Sequence, residues 1–153
     1  MLEKPNNEKV DLYFAYGSNM NFSQMKKRCP GSRIVGRAIL KDWQYFINEN
    51  GYAGIEPALG SLVRGGLWRI DAEHWEALDA YEGVKEGCYK KVRMEVFLEQ
   101  NGTLEKKDVW LYLSNNYQYG KPTNSYQKVV LEGAKDFGLN PNYIKILSAW
   151  YEG

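Results

Sequence analysis

Histidine is almost missing from this chain. His74 stands alone among 153 residues, and cysteine occurs twice, at Cys29 and Cys88, outside any Cys-x-x-Cys spacing. A tetrahedral zinc site needs about four clustered N, S or carboxylate ligands, and the sequence offers no such cluster. A Ser–His–Asp or Cys–His nucleophile system would have to rest on His74. Between Glu73 and Trp75, that residue reads instead as a solvated position on a helix surface. Excess charge of one sign is missing too. Twenty basic against 19 acidic side chains leave a net +1, which excludes an overall basic footprint for nucleic acid and an acidic disordered tail. No stretch approaches the ~18 apolar residues of a membrane span. The polar opening MLEKPNNEKVD lacks the apolar run of a signal peptide. The expectation is a cytoplasmic protein with no membrane and no nucleic-acid partner.

Aromatic residues are abundant: 12 Tyr, 5 Trp and 5 Phe make 14% of the chain, and 15 glycines add tight turns. With 44% hydrophobic residues this length suits one domain, predicted over 11–153 behind a flexible lead-in at 1–10. Leu12–Tyr16 is a short apolar run stopped at Gly17 and reads as a buried strand. Asn21 can cap a short helix carrying Phe22, Met25 and Cys29, ended by Pro30-Gly31. Ile34–Leu40 and Trp43–Ile47 read as two strands, and Asn48–Gly60, punctuated by Asn, Gly and Pro, as a loop with some extended structure. Leu62–Ile70 is a further strand in which Gly65-Gly66 suggests a bulge or a close backbone approach.

Asp71 caps a helix with Trp75, Leu78 and Tyr81 on its inward face. Val92, Met94, Val96 and Leu98 alternate with Arg93, Glu95 and Glu99, the pattern of a strand with one wet face. Asn101-Gly102 is a hairpin signal, answered by Val109, Leu111 and Leu113 on the return strand. Two helices close the chain, one from about Asn124 to Phe137 before Gly138, the other starting at Asn140-Pro141. Hairpin chemistry without regular βαβ alternation predicts an α+β fold with a largely antiparallel sheet, and aromatic residues on both faces of several strands fit a small barrel.

Three places can carry chemistry. A strand ending in Tyr16-Gly17-Ser18-Asn19 frees backbone N–H groups from the ladder, and small side chains let a ligand approach them. The same residues would also make an ordinary turn. Glu82, in Leu78-Asp79-Ala80-Tyr81-Glu82-Gly83-Val84, stands at a helix end among apolar neighbours. Burial there would disfavour its charged form and raise its basicity, which suits a general base. It also fits a surface glutamate, though an acid at the negative end of a helix dipole is a local conflict. Tyr126 and Tyr143, near the starts of the last two helices, can offer hydroxyls to a ligand or serve as core aromatics with a polar tip.

Taken together, these blocks resemble the γ-glutamylcyclotransferase family. They are Tyr16–Asn19 after a Phe-Ala-Tyr strand, Leu78–Val84, Gly87–Val96 with Tyr89, and Pro122–Leu147 with Tyr126, Gly133-Ala134, Gly138-Leu139 and Tyr143. Their order spans residues 11–147. Thr123 departs from a serine common in relatives while keeping the hydroxyl, and the match is poorest between 42 and 62, where contacts to the departing group of a substrate are expected.

The resemblance implies an α+β fold built on a small mixed, largely antiparallel β-barrel flanked by helices, and a cofactor-free and metal-free enzyme acting on a small γ-glutamyl substrate, with a homodimer left open. The α-amine of the γ-glutamyl group would attack its own γ-carbonyl, giving 5-oxoproline and releasing an amino acid. It further implies Glu82 as catalytic acid/base, and substrate contacts from Tyr13, Phe14, Ala15, Tyr16, Gly17, Ser18, Asn19, Tyr126 and Tyr143. Because such a substrate carries its own nucleophile, one histidine is no handicap. The same chemistry on γ-glutamyl amines or a γ-glutamyl-protected natural product remains the alternative. A non-catalytic module binding γ-glutamyl ligands is the reading from another class.

Overall fold

The computed structural model describes residues 11–152. In chain order it contains β1 (Asp11–Ala15), a 3-10 turn (Ser18–Met20), α1 (Phe22–Arg28), β2 (Arg33–Ile47) and β3 (Ala53–Ile70). These are followed by α2 (Ala72–Tyr81), β4 (Tyr89–Gln100), β5 (Thr103–Ser114), α3 (Asn124–Asp136) and α4 (Pro141–Glu152). The expected lead-in at 1–10 lies outside the described residues.

The strands close on themselves in the order β1-β3-β2-β4-β5. Every ladder is antiparallel except the seam, where β1 meets β5 in parallel at Tyr13 and Trp110. The fold is therefore the expected α+β arrangement, a mixed and largely antiparallel barrel with helices outside. Asn101 and Gly102 turn the β4–β5 hairpin with φ of 53° and 79°, the two positive angles that a two-residue turn of the I′ kind requires.

Two stretches differ from the sequence expectation. Ile34–Leu40 and Trp43–Ile47 belong to one strand, β2. Asp42 takes a φ of 69° and the register shifts between Lys41 and Trp43, so the interruption is a bulge inside a continuous ladder. Residues 48–60 are loop only as far as Tyr52. From Ala53 the chain is already β3, an 18-residue strand whose Ala53–Pro57 segment pairs with Trp43–Ile47. Pairing along β2 overrides the Gly and Pro punctuation, and Pro57 is tolerated because it faces Trp43 beside the bulge.

Gly65-Gly66 marks a close approach and no bulge, since β3 stays in register there opposite Ala38 and Arg37. A Cβ on Gly65 would stand 2.2 Å from the Ala15 carbonyl oxygen, and one on Gly66 would stand 2.3 Å from the Phe137 ring.

His74 is buried, with 5% of its surface exposed, contrary to the solvated position expected of it. Its Nδ1 accepts from the Asp71 backbone N–H at 3.0 Å, and its Nε2 lies 2.7 Å from the Pro30 carbonyl. The imidazole therefore caps α2 and ties it to the end of α1. Trp75 and Leu78 point inward as expected, but Tyr81 is 59% exposed.

Replacing Gly65 by alanine forces the new methyl group against a backbone oxygen. Overpacking of this kind costs about 1–3 kcal/mol. For a domain of this size the midpoint of thermal unfolding followed by circular dichroism is expected to fall by roughly 2–10 °C. An unchanged midpoint would mean that β1 can move away from β3 freely.

Candidate active site

At Gly17 the chain leaves the ladder of β1 and enters the 3-10 turn. The turn is anchored by Asn19, which is 3% exposed. Its Nδ2 donates to the Tyr13 hydroxyl at 2.9 Å, and its Oδ1 accepts from Gln24 Nε2 and Arg28 NH1, both at 3.0 Å. Its carbonyl accepts from the Trp68 indole at 2.9 Å. A buried amide with these bonds made is worth keeping, because an orphaned one costs about 1–3 kcal/mol. Helix α3 braces the same turn from outside. A Cβ on Gly133 would lie 2.5 Å from the Asn21 nitrogen, and Asn21 Nδ2 donates to the Val129 carbonyl at 3.1 Å.

Glu82 arrives from the other side. It is the C-cap of α2, and Gly83, with φ of 64°, ends the helix. The Gly83 N–H donates to the Ala80 carbonyl and the Val84 N–H to the Asp79 carbonyl, at 3.2 and 3.0 Å. This is the Schellman pairing, in which glycine supplies the left-handed residue and an apolar residue follows. The Glu-Gly-Val run is therefore a helix-stop signal that sets the direction of the glutamate. One turn earlier, Asp79 accepts from the Tyr112 hydroxyl at 2.6 Å and from Lys91 Nζ at 3.2 Å, pinning α2 to β4 and β5.

Between these elements lies a cavity of about 590 Å³ with Ser18, Arg28, Glu82, Tyr89 and Tyr126 in its wall. A narrow chamber of about 30 Å³ shares Ser18, Glu82, Tyr89 and Tyr126 with it and is further bounded by Tyr13, Tyr16, Gly17 and Asn19. Burial pushes the Glu82 carboxyl up to about 7, helped by the negative charge of Asp79 and opposed by Arg28. Burial likewise raises Tyr13 and Tyr16 well above the ordinary phenol range and Tyr126 to about 12, so each hydroxyl keeps its proton at neutral pH. Tyr126 accepts from the Ala53 N–H at 3.1 Å, leaving its own proton to donate. The arrangement can move a proton at Glu82 and offer hydrogen-bond donors a few ångströms away.

Of the residues singled out in the sequence, Tyr13, Tyr16, Gly17, Ser18, Asn19, Glu82 and Tyr126 meet at this cavity. Phe14 and Ala15 are buried in the core and do not form its wall. Tyr143 is not brought to it. That side chain, on α4, lines a separate depression with Tyr45, Arg64 and Trp150. Gln24, Arg28, Asn48, Asn50, Asn115 and Asn116 were missed. Gln24 and Arg28 carried a signal, one turn apart on the helix that Asn21 caps. Asn48 and Asn50 fall within residues 42–62, the stretch expected to hold contacts to the departing group, though neither stood out singly; Asn115 and Asn116, from a loop far away in sequence, gave no signal.

Asp71, Glu73 and His74 bring potential metal-ligand atoms within 4.8 Å of one another. The two imidazole nitrogens are already engaged by Asp71 and Pro30. Both cysteines are free thiols, and burial raises Cys29 to about 11, which makes it a poor nucleophile.

Residues 62–147 match the AIG2-like family model, and the chain belongs to this family. The chain is 33% identical over 150 residues to the mouse (Mus musculus) protein named gamma-glutamylcyclotransferase, covering 90% of this chain and 77% of that protein. The human protein of the same name is 30% identical over 152 residues, with 93% and 79% covered. A solved structure named gamma-glutamyl cyclotransferase superposes with a TM-score of 0.84 at 29% identity, covering 92% of this chain and 87% of that one.

The raised Glu82 carboxyl makes a prediction about stability. The folded protein holds this proton up to about pH 7, against 4.5 for an ordinary glutamate. The native state thus binds more protons than the unfolded chain between those values. Its contribution is fully present below about 4.5 and is lost as pH rises through 7. Glu82→Gln removes this cost of ionisation, so urea unfolding at pH 8 should show the variant more stable by roughly 1–3 kcal/mol, with the gap closing near pH 4. A variant less stable at pH 8 would show that Glu82 is not held against its desolvation.

Proposed function

We propose that the protein is a γ-glutamylcyclotransferase in which Glu82 is the general acid/base. The observation that carries this reading is a carboxyl group with a proton affinity near neutrality, facing the open end of a strand across one cavity. The identity to the mouse and human relatives supports it.

The reaction needs a nucleophile, and the substrate brings one. An α-ammonium group is protonated at neutral pH, so ionised Glu82 takes one proton from it. The freed amine attacks the γ-carbonyl carbon, and a five-membered ring forms. Glu82 then passes that proton to the departing nitrogen and takes the second one from the ring nitrogen as the amide C–N bond breaks; 5-oxoproline leaves, and the released amine takes up the second proton as the ammonium group of the amino acid, which returns Glu82 to its ionised form. The glutamyl chain must be folded so that nitrogen and carbonyl carbon meet at roughly 3–3.5 Å. That task falls to the Tyr16–Asn19 turn, whose Gly17 and Ser18 N–H groups would take the α-carboxylate. The neutral Tyr126 hydroxyl would face the developing oxyanion. Acid–base help of this kind is worth about 10²–10⁴-fold.

Among the described residues no helix is long and apolar enough to cross a membrane. The free thiols of Cys29 and Cys88 are in keeping with the cytoplasmic setting that belongs to this proposal.

Incubation with γ-glutamyl-alanine, followed by mass spectrometry, should yield 5-oxoproline. Glu82→Gln should cut the rate at least a hundredfold while calorimetry still shows the substrate binding. Turnover retained in the variant removes Glu82 as the base, and binding without any turnover in the wild type favours a non-catalytic module. The rate should rise about tenfold per pH unit below neutrality and level off above about pH 7, following ionisation of Glu82. A pH-independent rate between 5.5 and 8 would contradict that assignment. Because no step draws on a metal, a chelator should leave the rate unchanged.

A further inference from the structure

The cavity at Glu82 has an uneven charge distribution. Among the described residues in its wall Arg28 is the only cation and Glu82 the only anion, and the remaining polar groups are neutral. Arg28 is the last residue of α1, which the Asn21 side chain caps by accepting from the Gln24 N–H. Its guanidinium is fixed in two ways. NH1 donates to Asn19 Oδ1 at 3.0 Å, and its central carbon lies 4.1 Å from the centroid of the Tyr81 ring. Those contacts orient a planar fork and engage one nitrogen. No carboxylate pairs with Arg28 among the described residues. A cation stacked on an aromatic ring, with several donors unused, is prepared for an anion that arrives with a ligand.

Position says which anion. The narrow inner chamber is bounded by Tyr13, Tyr16, Gly17 and Ser18, and Arg28 does not reach it. Arg28 belongs to the wider outer part, together with Gln24, Asn48, Asn50, Asn115 and Asn116. Glu82 borders both. The chamber, at about 30 Å³, takes no more than the tip of the glutamyl group; with the bond to be broken at Glu82, the departing group lies in the wider outer part, on the side of Arg28. This placement rests on the cyclotransferase reading above. We infer that Arg28 is the specificity-determining residue for the departing group: it pairs with that group's carboxylate and selects γ-glutamyl amino acids over γ-glutamyl amines. The outer asparagines and Gln24 are uncharged and fit varied side chains, so the carboxylate is the part read most strictly.

The test compares γ-glutamyl-alanine with γ-glutamyl-alaninamide, which differ only in that charge. A hydrogen-bonded ionic contact is worth about 1.5–3 kcal/mol, or roughly 10–100-fold. The wild-type protein should therefore turn over the free acid with a kcat/KM at least about tenfold above that of the amide. In Arg28→Met the ratio should fall to within about threefold of unity, and Arg28→Lys should restore part of it. Loss of α1 packing alone would lower both rates together and leave the ratio in place, so the ratio separates recognition from structural damage. Equal wild-type rates on the two substrates overturn the inference while leaving the cyclotransferase reading intact. So does an Arg28→Met variant that keeps the wild-type ratio, whether or not both rates fall. No 5-oxoproline from either substrate in the wild type would overturn the cyclotransferase reading itself.

Discussion

A carboxylate taken out of water costs free energy unless a cation or donor meets it closely. This fold maintains one at Glu82, and most of the site follows from how it does so. Arg28 is near enough to lower the proton affinity of the group, yet burial and the charge of Asp79 outweigh it, and the balance falls at about 7. A tight ion pair would have fixed the carboxylate in its charged form. Full burial without Arg28 would have fixed it neutral. Either way the group could not exchange a proton near neutral pH.

Holding that balance needs a rigid surround. Helix α2 is capped at its start by His74 and stopped at its end by Gly83, and it is fastened midway through Asp79 to Tyr112 and Lys91. Opposite, the turn after β1 is fastened through Asn19 to Tyr13, Gln24, Arg28 and Trp68. The two groups of contacts meet across a cavity ringed by neutral phenols, which supply donors without adding charge. Arg28 belongs to both, through Asn19 on one side and the Tyr81 ring on the other. Recognition of a departing carboxylate and control of the base would therefore share one side chain.

Several features of this design are local and could be read in order along the chain. The strand ending at Ala15, the Asn101-Gly102 hairpin, the Asn21 cap and the helix stop at Gly138 each depend on residues within a few positions. Glu82 also stood out locally, as an acid at the wrong end of a helix before glycine. Long-range pairing decided where such reading failed. Strand β3 begins at Ala53 because β2 supplies partners for a segment rich in Gly and Pro. His74 is buried because the Pro30 carbonyl lies above it, 44 positions earlier.

What the sequence determined by itself was the class of fold, the turn that opens the strand and the candidate base, since periodicity, capping and turn chemistry act over short spans. Tertiary structure alone decided which side chains share the cavity. It brought in Arg28 and the loop asparagines, drew Phe14 and Ala15 into the core and set Tyr143 on another face. It also decided the proton affinity of Glu82, because desolvation depends on everything packed around a group, and that is a property of the closed barrel and its helices.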